Sequence, residues 1–283
     1  MSLLTAHRDP FSRSFDPPKI EDGKALMSSA IRLRMTGSCT IPTTAGSNSV
    51  VLALGPGLSS NFFHHGAQEV VGPAHPVYAA HMDTEELRNQ IKLIRLVGCA
   101  ARFSLLNNAE QNEGYWEAIR VPFSWSEINL RTRDDPTTQP VTGSLDFSAA
   151  IAAAGTDFSQ HMTYQTGKLS KLHEYQFKLN STTNEHPFTS VDSIGDGLNG
   201  PTQAQLEGFV DETFDIVLIR VYGRNEASFP SSLRYDIVSN QEVIWKENSQ
   251  AARMMKKSNH NPNMATILDR SNYTMPGLKR VTK

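Results

Sequence analysis

The residues with the most conspicuous chemistry are histidines that lie close together in the chain. His64 and His65 are adjacent, His75 follows, and His81 is two residues from Asp83. Imidazole and carboxylate groups are common ligands of zinc and iron, so a metal could in principle bind here. Adjacent residues of a strand point to opposite faces, which hinders His64 and His65 from sharing one ion. We therefore expect no metal site and no cofactor.

The chain carries none of the common catalytic motifs. A GxSxG elbow, an HExxH pair, a Walker loop and a GxGxxG between a strand and a helix are all absent from the sequence. The acid pairs Glu85-Glu86 and Asp134-Asp135 lie in polar stretches that are typical of a solvated surface rather than of a glycoside hydrolase. The sequence therefore predicts a protein that is not an enzyme.

The strongest charge pattern lies at the C-terminal end of the chain. Residues 251–283 hold seven basic residues against one acid, a net charge of +6, so residues 1–250 carry −8 of the total of −2. A basic segment on an acidic body is typical of contact with a polyanion, although a solvated tail without a partner has the same composition. The candidate nucleic-acid contacts are Arg253, Lys256, Lys257, Lys279, Arg280 and Lys283.

The cysteines and the apolar segments bound the class of protein further. Cys39 and Cys99 are far apart and neither is in a CxxC pair, so we expect two small buried side chains rather than a disulfide framework or a zinc cage. No segment approaches the roughly 20 apolar residues of a membrane-spanning helix, and the first residues have no signal-peptide core. We expect a soluble, unsecreted protein that does not contact a membrane.

Alternation of apolar and polar residues predicts an all-β fold. The clearest segment is 91–106, which is too long and too alternating for a helix. One face of this strand is expected to carry Val97, Cys99, Ala101, Phe103 and Leu105, and the other Arg102 and Ser104. Further strands are predicted over residues 31–36, 49–54, 115–123, 173–179, 186–191, 214–222 and 233–245. About eight strands without a βαβ rhythm favour a single antiparallel sandwich.

The remaining segments divide the chain into a body and two ends. Residues 1–28 contain Pro10, Pro17 and Pro18 without a helical or alternating period, and so predict an extended arm. The folded domain is expected over 29–247, with a short alanine-rich helix over 148–155 as an insertion. Residues 248–283 form the basic tail.

Three stretches of the chain carry a family resemblance. They are DPFS at 9–12 with PKIEDGK at 18–24, IRLVGCAARF at 94–103, and VSNQEVIW at 238–245. In these stretches the chain resembles the capsid proteins of bacilladnaviruses, single-stranded DNA viruses of diatoms, and more distantly the jelly-roll coat proteins of nodaviruses and tombusviruses. The resemblance implies an eight-stranded jelly roll that assembles inside the host cell, in many copies, into an icosahedral shell. It also implies a single-stranded genome inside the virion, with DNA favoured over RNA.

Many coat proteins of this type begin with a strongly basic arm, whereas residues 1–28 hold four basic residues against four acids. The tail residues are then the expected genome contacts, neutralising phosphates without reading bases. Two other functions stay open. A carbohydrate- or receptor-binding sandwich would place Trp125 or Tyr164 in an exposed pocket, and a cupin-like metalloenzyme would use His64, His65 or His81.

Overall fold

The computed structural model describes the chain in segments. These are residues 9–12, 28–41, 49–57, 60–66, 77–80, 90–107, 113–123, 129–131, 144–146, 157–183, 186–190, 211–223, 231–247, 249 and 278–280. The helix predicted over 148–155 lies outside them, as do most of the predicted arm and tail.

Extended strands dominate the described residues. In chain order they are β1 (Ser29–Thr40), β2 (Ser49–Leu54), β3 (Ser60–Gly66), β4 (Val77–Ala80), β5 (Ile91–Leu105), β6 (Tyr115–Val121), β7 (Asn129–Arg131), β8 (Ser144–Asp146), β9 (Gln165–Lys168), β10 (Tyr175–Lys178), β11 (Thr189–Ser190), β12 (Ile216–Tyr222), β13 (Ser232–Trp245) and β14 (Leu278–Arg280). Two 3-10 helices, Phe158–Gln160 and Leu169–Glu174, flank β9. The prediction of an all-β fold is confirmed.

Apart from β7 and β8, which pair with each other, the described strands form two antiparallel sheets with jelly-roll connectivity. Sheet one has the order β1-β13-β5-β10-β14, with β11 also paired to β5, and sheet two has the order β4-β3-β2-β12-β6-β9. The first strand thus pairs with the last long one, and successive strands cross between sheets, as in two interlocked Greek keys. Strands β3 and β4 extend sheet two, and β14 extends sheet one, beyond the eight jelly-roll strands. The predicted jelly-roll sandwich is confirmed.

Aromatic side chains from both sheets meet in the core. Phe177 of sheet one packs edge-on against Trp116 of sheet two, with ring centroids 5.4 Å apart. Phe62 of sheet two lies 4.7 Å from Tyr235 of sheet one. These contacts join the inner faces of the sheets, where apolar burial supplies the main stabilisation. Cys39 and Cys99 are free thiols buried in the same core, which confirms that prediction.

The register of β5 differs from the predicted alternation. Opposite β13 the pairing moves from Gly98 directly to Leu96, so Val97 is the extra residue of a β-bulge. A bulge shifts the side-chain alternation by one position. Leu96 therefore belongs to the core cluster with Cys99, and Val97 does not, although Val97 itself is buried. The prediction that Val97 shares a face with Cys99 is wrong for this reason.

The strands predicted over 173–179 and 186–191 are each shorter than expected by three residues or more. His173 lies in the 3-10 helix Leu169–Glu174, and the strand that follows begins only at Tyr175. The 3-10 helix buries Leu169 and Leu172, which are three residues apart as its period requires. Its last residues, His173 and Glu174, happen to continue the alternation of the strand that begins at Tyr175. The strand predicted over 186–191 is reduced to Thr189–Ser190.

Candidate nucleic-acid interface

Two of the six predicted contact residues lie in the described part of the tail. Lys279 and Arg280 belong to β14, which pairs with β10 at the rim of sheet one, with Lys279 opposite Gln176 and Arg280 opposite Tyr175. The end of the basic tail is thus a strand of the sheet. Arg253, Lys256, Lys257 and Lys283 lie outside the described residues.

The face of sheet one that points away from the core, called here the outer face, is polar and rich in arginine. Alternation along each strand places core residues such as Ile237 and Phe103 on one side and polar residues on the other. The polar set includes Arg32, Arg34, Arg95, Arg102, Lys178, Arg234, Asp236, Asn240 and Glu242. The alternation in the sequence places Arg102 on this side, but the grouping of arginines from three strands depends on the strand register.

The N-terminal segment is anchored on the outer face through Arg102. Its Nη2 donates to Asp9 Oδ1 at 3.0 Å and to Gln176 Oε1 at 2.7 Å. The guanidinium carbon also lies 4.2 Å from the centroid of the Phe11 ring, a cation–π distance. Because Gln176 is opposite Lys279, the anchor of one end of the chain lies beside the strand formed by the other end.

Two further arginines project from β1 onto the outer face. Arg34 forms a two-point salt bridge with Asp236, in which Nε donates to Oδ1 at 2.8 Å and Nη2 donates to Oδ2. The hydrogen bond and charge of Asp236 raise the pKa of Arg34. Arg32 Nε donates to Asn240 Oδ1 at 2.9 Å. Cross-strand pairs of this kind fix the register of β1 on β13.

Another arginine on this side of the sheet, Arg95, is part of a fully buried ion pair. Nε and Nη2 of Arg95 donate to Oε2 of Glu242 at 2.9 and 2.7 Å, and the Ser28 hydroxyl donates to Oε1. Nη1 donates to the carbonyl of His186 at 2.9 Å, and the guanidinium lies 4.1 Å from the Phe188 ring centroid. This arrangement joins four segments of the chain and is structural.

A chain of polar side chains near His186 resembles a catalytic relay in its order. The distances are 3.1 Å from Ser181 Oγ to His186 Nε2, 3.0 Å from His186 Nδ1 to Thr213 Oγ1, and 2.5 Å from Thr213 Oγ1 to Asp211 Oδ1. The Ser181 hydroxyl donates to a backbone carbonyl, and Ser181, His186 and Asp211 are all buried. Burial, and then the charge of Arg95, lower the pKa of His186 to about 4. The group therefore holds the loop before β12 and offers no accessible nucleophile.

Few of the other predicted site residues lie in the part of the chain that the structure describes. His64 and His65 are consecutive residues of β3, with side chains outside the description, and His75, His81 and Trp125 lie outside it altogether. Tyr164 packs against the core, which contradicts an exposed pocket at that position. Within the described segments no group of three His, Cys, Asp or Glu side chains could hold a metal, and no helix is long and apolar enough to cross a membrane.

Comparison with known proteins gives a consistent family. The chain matches the Shotokuvirus capsid protein family over residues 1–197 and 195–276. It is 26% identical to a capsid protein of Chaetoceros diatodnavirus 1, covering 90% of this chain and 76% of that protein. It is 24% identical to a capsid protein of Chaetoceros protobacilladnavirus 2, covering 93% and 81%. The chain belongs to the Shotokuvirus capsid protein family, and the resemblance to bacilladnavirus capsid proteins is confirmed.

A solved structure supports the fold alone. The chain is similar to the structure of the infectious bursal disease virus Gx strain, with a TM-score of 0.55 and 9% identity, covering 98% of this chain and 95% of that one. The two chains thus share an architecture at an identity too low to compare individual residues.

Proposed function

We propose that many copies of this capsid protein form an icosahedral shell around single-stranded DNA, and that the protein has no enzymatic activity. Membership of the Shotokuvirus capsid protein family over nearly the whole chain is the observation that carries the proposal. The jelly-roll fold supports it, because such a sandwich presents edges and loops that neighbouring copies can bury. Each contact is weak alone, but every subunit is held by several neighbours at once.

The basic tail is the proposed contact with the packaged strand. Its net charge of +6 contrasts with the acidic body, so the tail is the part of the chain with a net attraction to phosphates. Pairing of β14 with β10 supports this role, because it tethers Lys279 and Arg280 to the shell domain rather than leaving them distant from it. Contact through phosphates neutralises charge without reading the base sequence.

The assembly half of the proposal is tested by electron microscopy of the purified full-length protein. We expect closed particles of uniform diameter that enclose nucleic acid. A protein that remains monomeric at every concentration, pH and ionic strength would contradict the proposal.

The tail half is tested with a variant in which Arg253, Lys256, Lys257, Lys279, Arg280 and Lys283 are all replaced by glutamine. We expect particles with less nucleic acid per subunit, measured by the 260/280 nm absorbance ratio, and a smaller effect of salt on binding. The matched control exchanges Lys for Arg, and Arg for Lys, at the same positions and keeps the charge. Unchanged nucleic-acid content in the glutamine variant would contradict the role of the tail.

A further inference from the structure

One exposed corner of the outer face of sheet one is composed of hydroxyl groups and arginine. Register places Ser38 of β1, Arg234 of β13 and Ser104 of β5 side by side in one row across three strands. Thr36 and Arg34 continue this corner along β1. These five residues are called the hydroxyl–arginine patch, and all but the half-buried Ser104 are exposed.

The charges of the patch are not equally available. Arg34 is paired with Asp236, the acid that follows Arg234 on the same face of β13. Arg234 forms no ion pair within the described segments, and the two residues beside it in the row are serines. Its neighbours along the strand, Leu233 and Tyr235, are buried in the core. A guanidinium held on a rigid sheet between two hydroxyls is therefore open to a ligand.

We infer that the hydroxyl–arginine patch binds backbone phosphates of the packaged nucleic acid, as a second contact surface beside the tail. Arginine and the hydroxyls of serine and threonine are donors that proteins direct at phosphate oxygens. Guanidinium groups also match the geometry of phosphate with two parallel hydrogen bonds. Neighbouring strands are about 5 Å apart and alternate residues of a strand about 7 Å apart, so the patch has room for two or three phosphates of one strand. This inference rests on the proposed function.

The patch lies on the same sheet as the C-terminal strand. Ser104 of β5 is opposite Arg234, and Arg102 is two residues before Ser104, one row away on the same face. Arg102 donates to Gln176, which is opposite Lys279 of β14. A single-stranded nucleic acid that lies along the outer face can therefore contact β14 and then the patch. This continuity distinguishes the patch from exposed cations on the other sheet, such as Lys168 of β9.

The test is the binding of a fluorescent oligodeoxythymidine to the full-length protein, measured by anisotropy over a series of salt concentrations. We expect Arg234→Gln to lower the affinity about fivefold, as for the loss of one solvent-exposed phosphate contact, and to reduce the slope of log K against log salt by about 0.7. Arg234→Lys should keep most of the slope because it keeps the charge. The matched control is Lys168→Gln, which removes an exposed charge from sheet two and should leave the slope unchanged.

The tail variant described above separates this inference from the proposed function. If the tail variant binds less but Arg234→Gln binds like the wild type, the patch is refuted and the tail survives. If Arg234→Gln binds less and the tail variant does not, the patch is supported and the tail role fails. If Arg234→Gln impairs particle formation while binding is unchanged, the patch contacts another subunit and the inference is overturned. A double Ser38→Ala and Ser104→Ala variant should weaken binding without changing the slope.

Discussion

The buried pair between Arg95 and Glu242 gives the sharpest prediction about stability. The side chains are 1% and 0% exposed, so neither charge is solvated by water, and Glu242 accepts two hydrogen bonds from the guanidinium. Glu242→Gln keeps the shape but replaces the carboxylate that the buried Arg95 guanidinium is bonded to by a neutral amide. Removal of one partner of a buried pair costs about 3–5 kcal/mol. We expect a loss of that size in the free energy of unfolding, a large part of the typical total of about 5–15 kcal/mol.

The assay is urea unfolding of dilute, unassembled subunits, followed by tryptophan fluorescence, with the shift in midpoint interpreted at constant m-value. The decisive control is the double variant Arg95→Met with Glu242→Leu, which removes both charges and fills the same volume. It should recover most of the loss, because no charge is left buried; the Ser28 hydroxyl and the His186 carbonyl each lose a partner, about 1–3 kcal/mol apiece at most. The reasoning is refuted if Glu242→Gln costs under about 1 kcal/mol, or if the double variant is no more stable than the single one.

Two further predictions concern a turn and a pH dependence. Gly114 has φ +137°, and an added Cβ would lie 2.1 Å from the carbonyl oxygen of Tyr222. Gly114→Ala should therefore lower the free energy of unfolding by about 2–3 kcal/mol and the thermal midpoint by about 5–10 °C. The control Gly98→Ala should cost far less, because a Cβ there meets nothing within 4 Å. The pKa of His186 is lowered from 6.5 to about 4, so this side chain binds a proton less readily in the folded state than in the unfolded state. The contribution of neutral His186 to stability is complete above pH 6.5 and declines by about 3 kcal/mol as the pH falls to 4. His186→Asn should unfold in urea with a flatter pH profile than the wild type, and equal slopes would contradict the burial argument.

The long strands were predictable from sequence because each buries one face over many residues. β1, β5 and β13 run for 12 to 15 residues, and apolar–polar alternation over parts of them, such as residues 31–35 and 101–105, predicts which side faces the core. The bulge at Val97 was not predictable, since Val97 and Leu96 are both apolar and either could face inward. At the bulge, the backbone N–H of Leu96 donates to the side chain of Asp211, which is 115 residues away along the chain. Only the tertiary fold reveals that partner.

The candidate interface was predictable only in its overall chemistry. Charge counting found the tail, but three residues such as Leu278–Arg280 carry too little pattern to predict a strand. Arg234 was unremarkable in sequence, because its significance depends on Ser38 and Ser104, which are distant in the chain. A site assembled across strands is defined by register, and register depends on long-range pairing that local patterns do not encode.

The N-terminal segment and the C-terminal strand meet on one row of sheet one, beside the proposed genome contact. The row runs from Lys279 through Gln176 to Arg102, and Asp9 bonds to the last of these. Arg102 is therefore shared between the N-terminal segment and the row that ends in the C-terminal strand. The Asp9 contact with Arg102 is partly exposed and β14 is held by three backbone pairs, so both terminal segments are held by weak contacts. Pairing of β1 and β5 with β13 uses no residue of either terminal segment, so we expect this part of the jelly roll to persist when the terminal contacts are released.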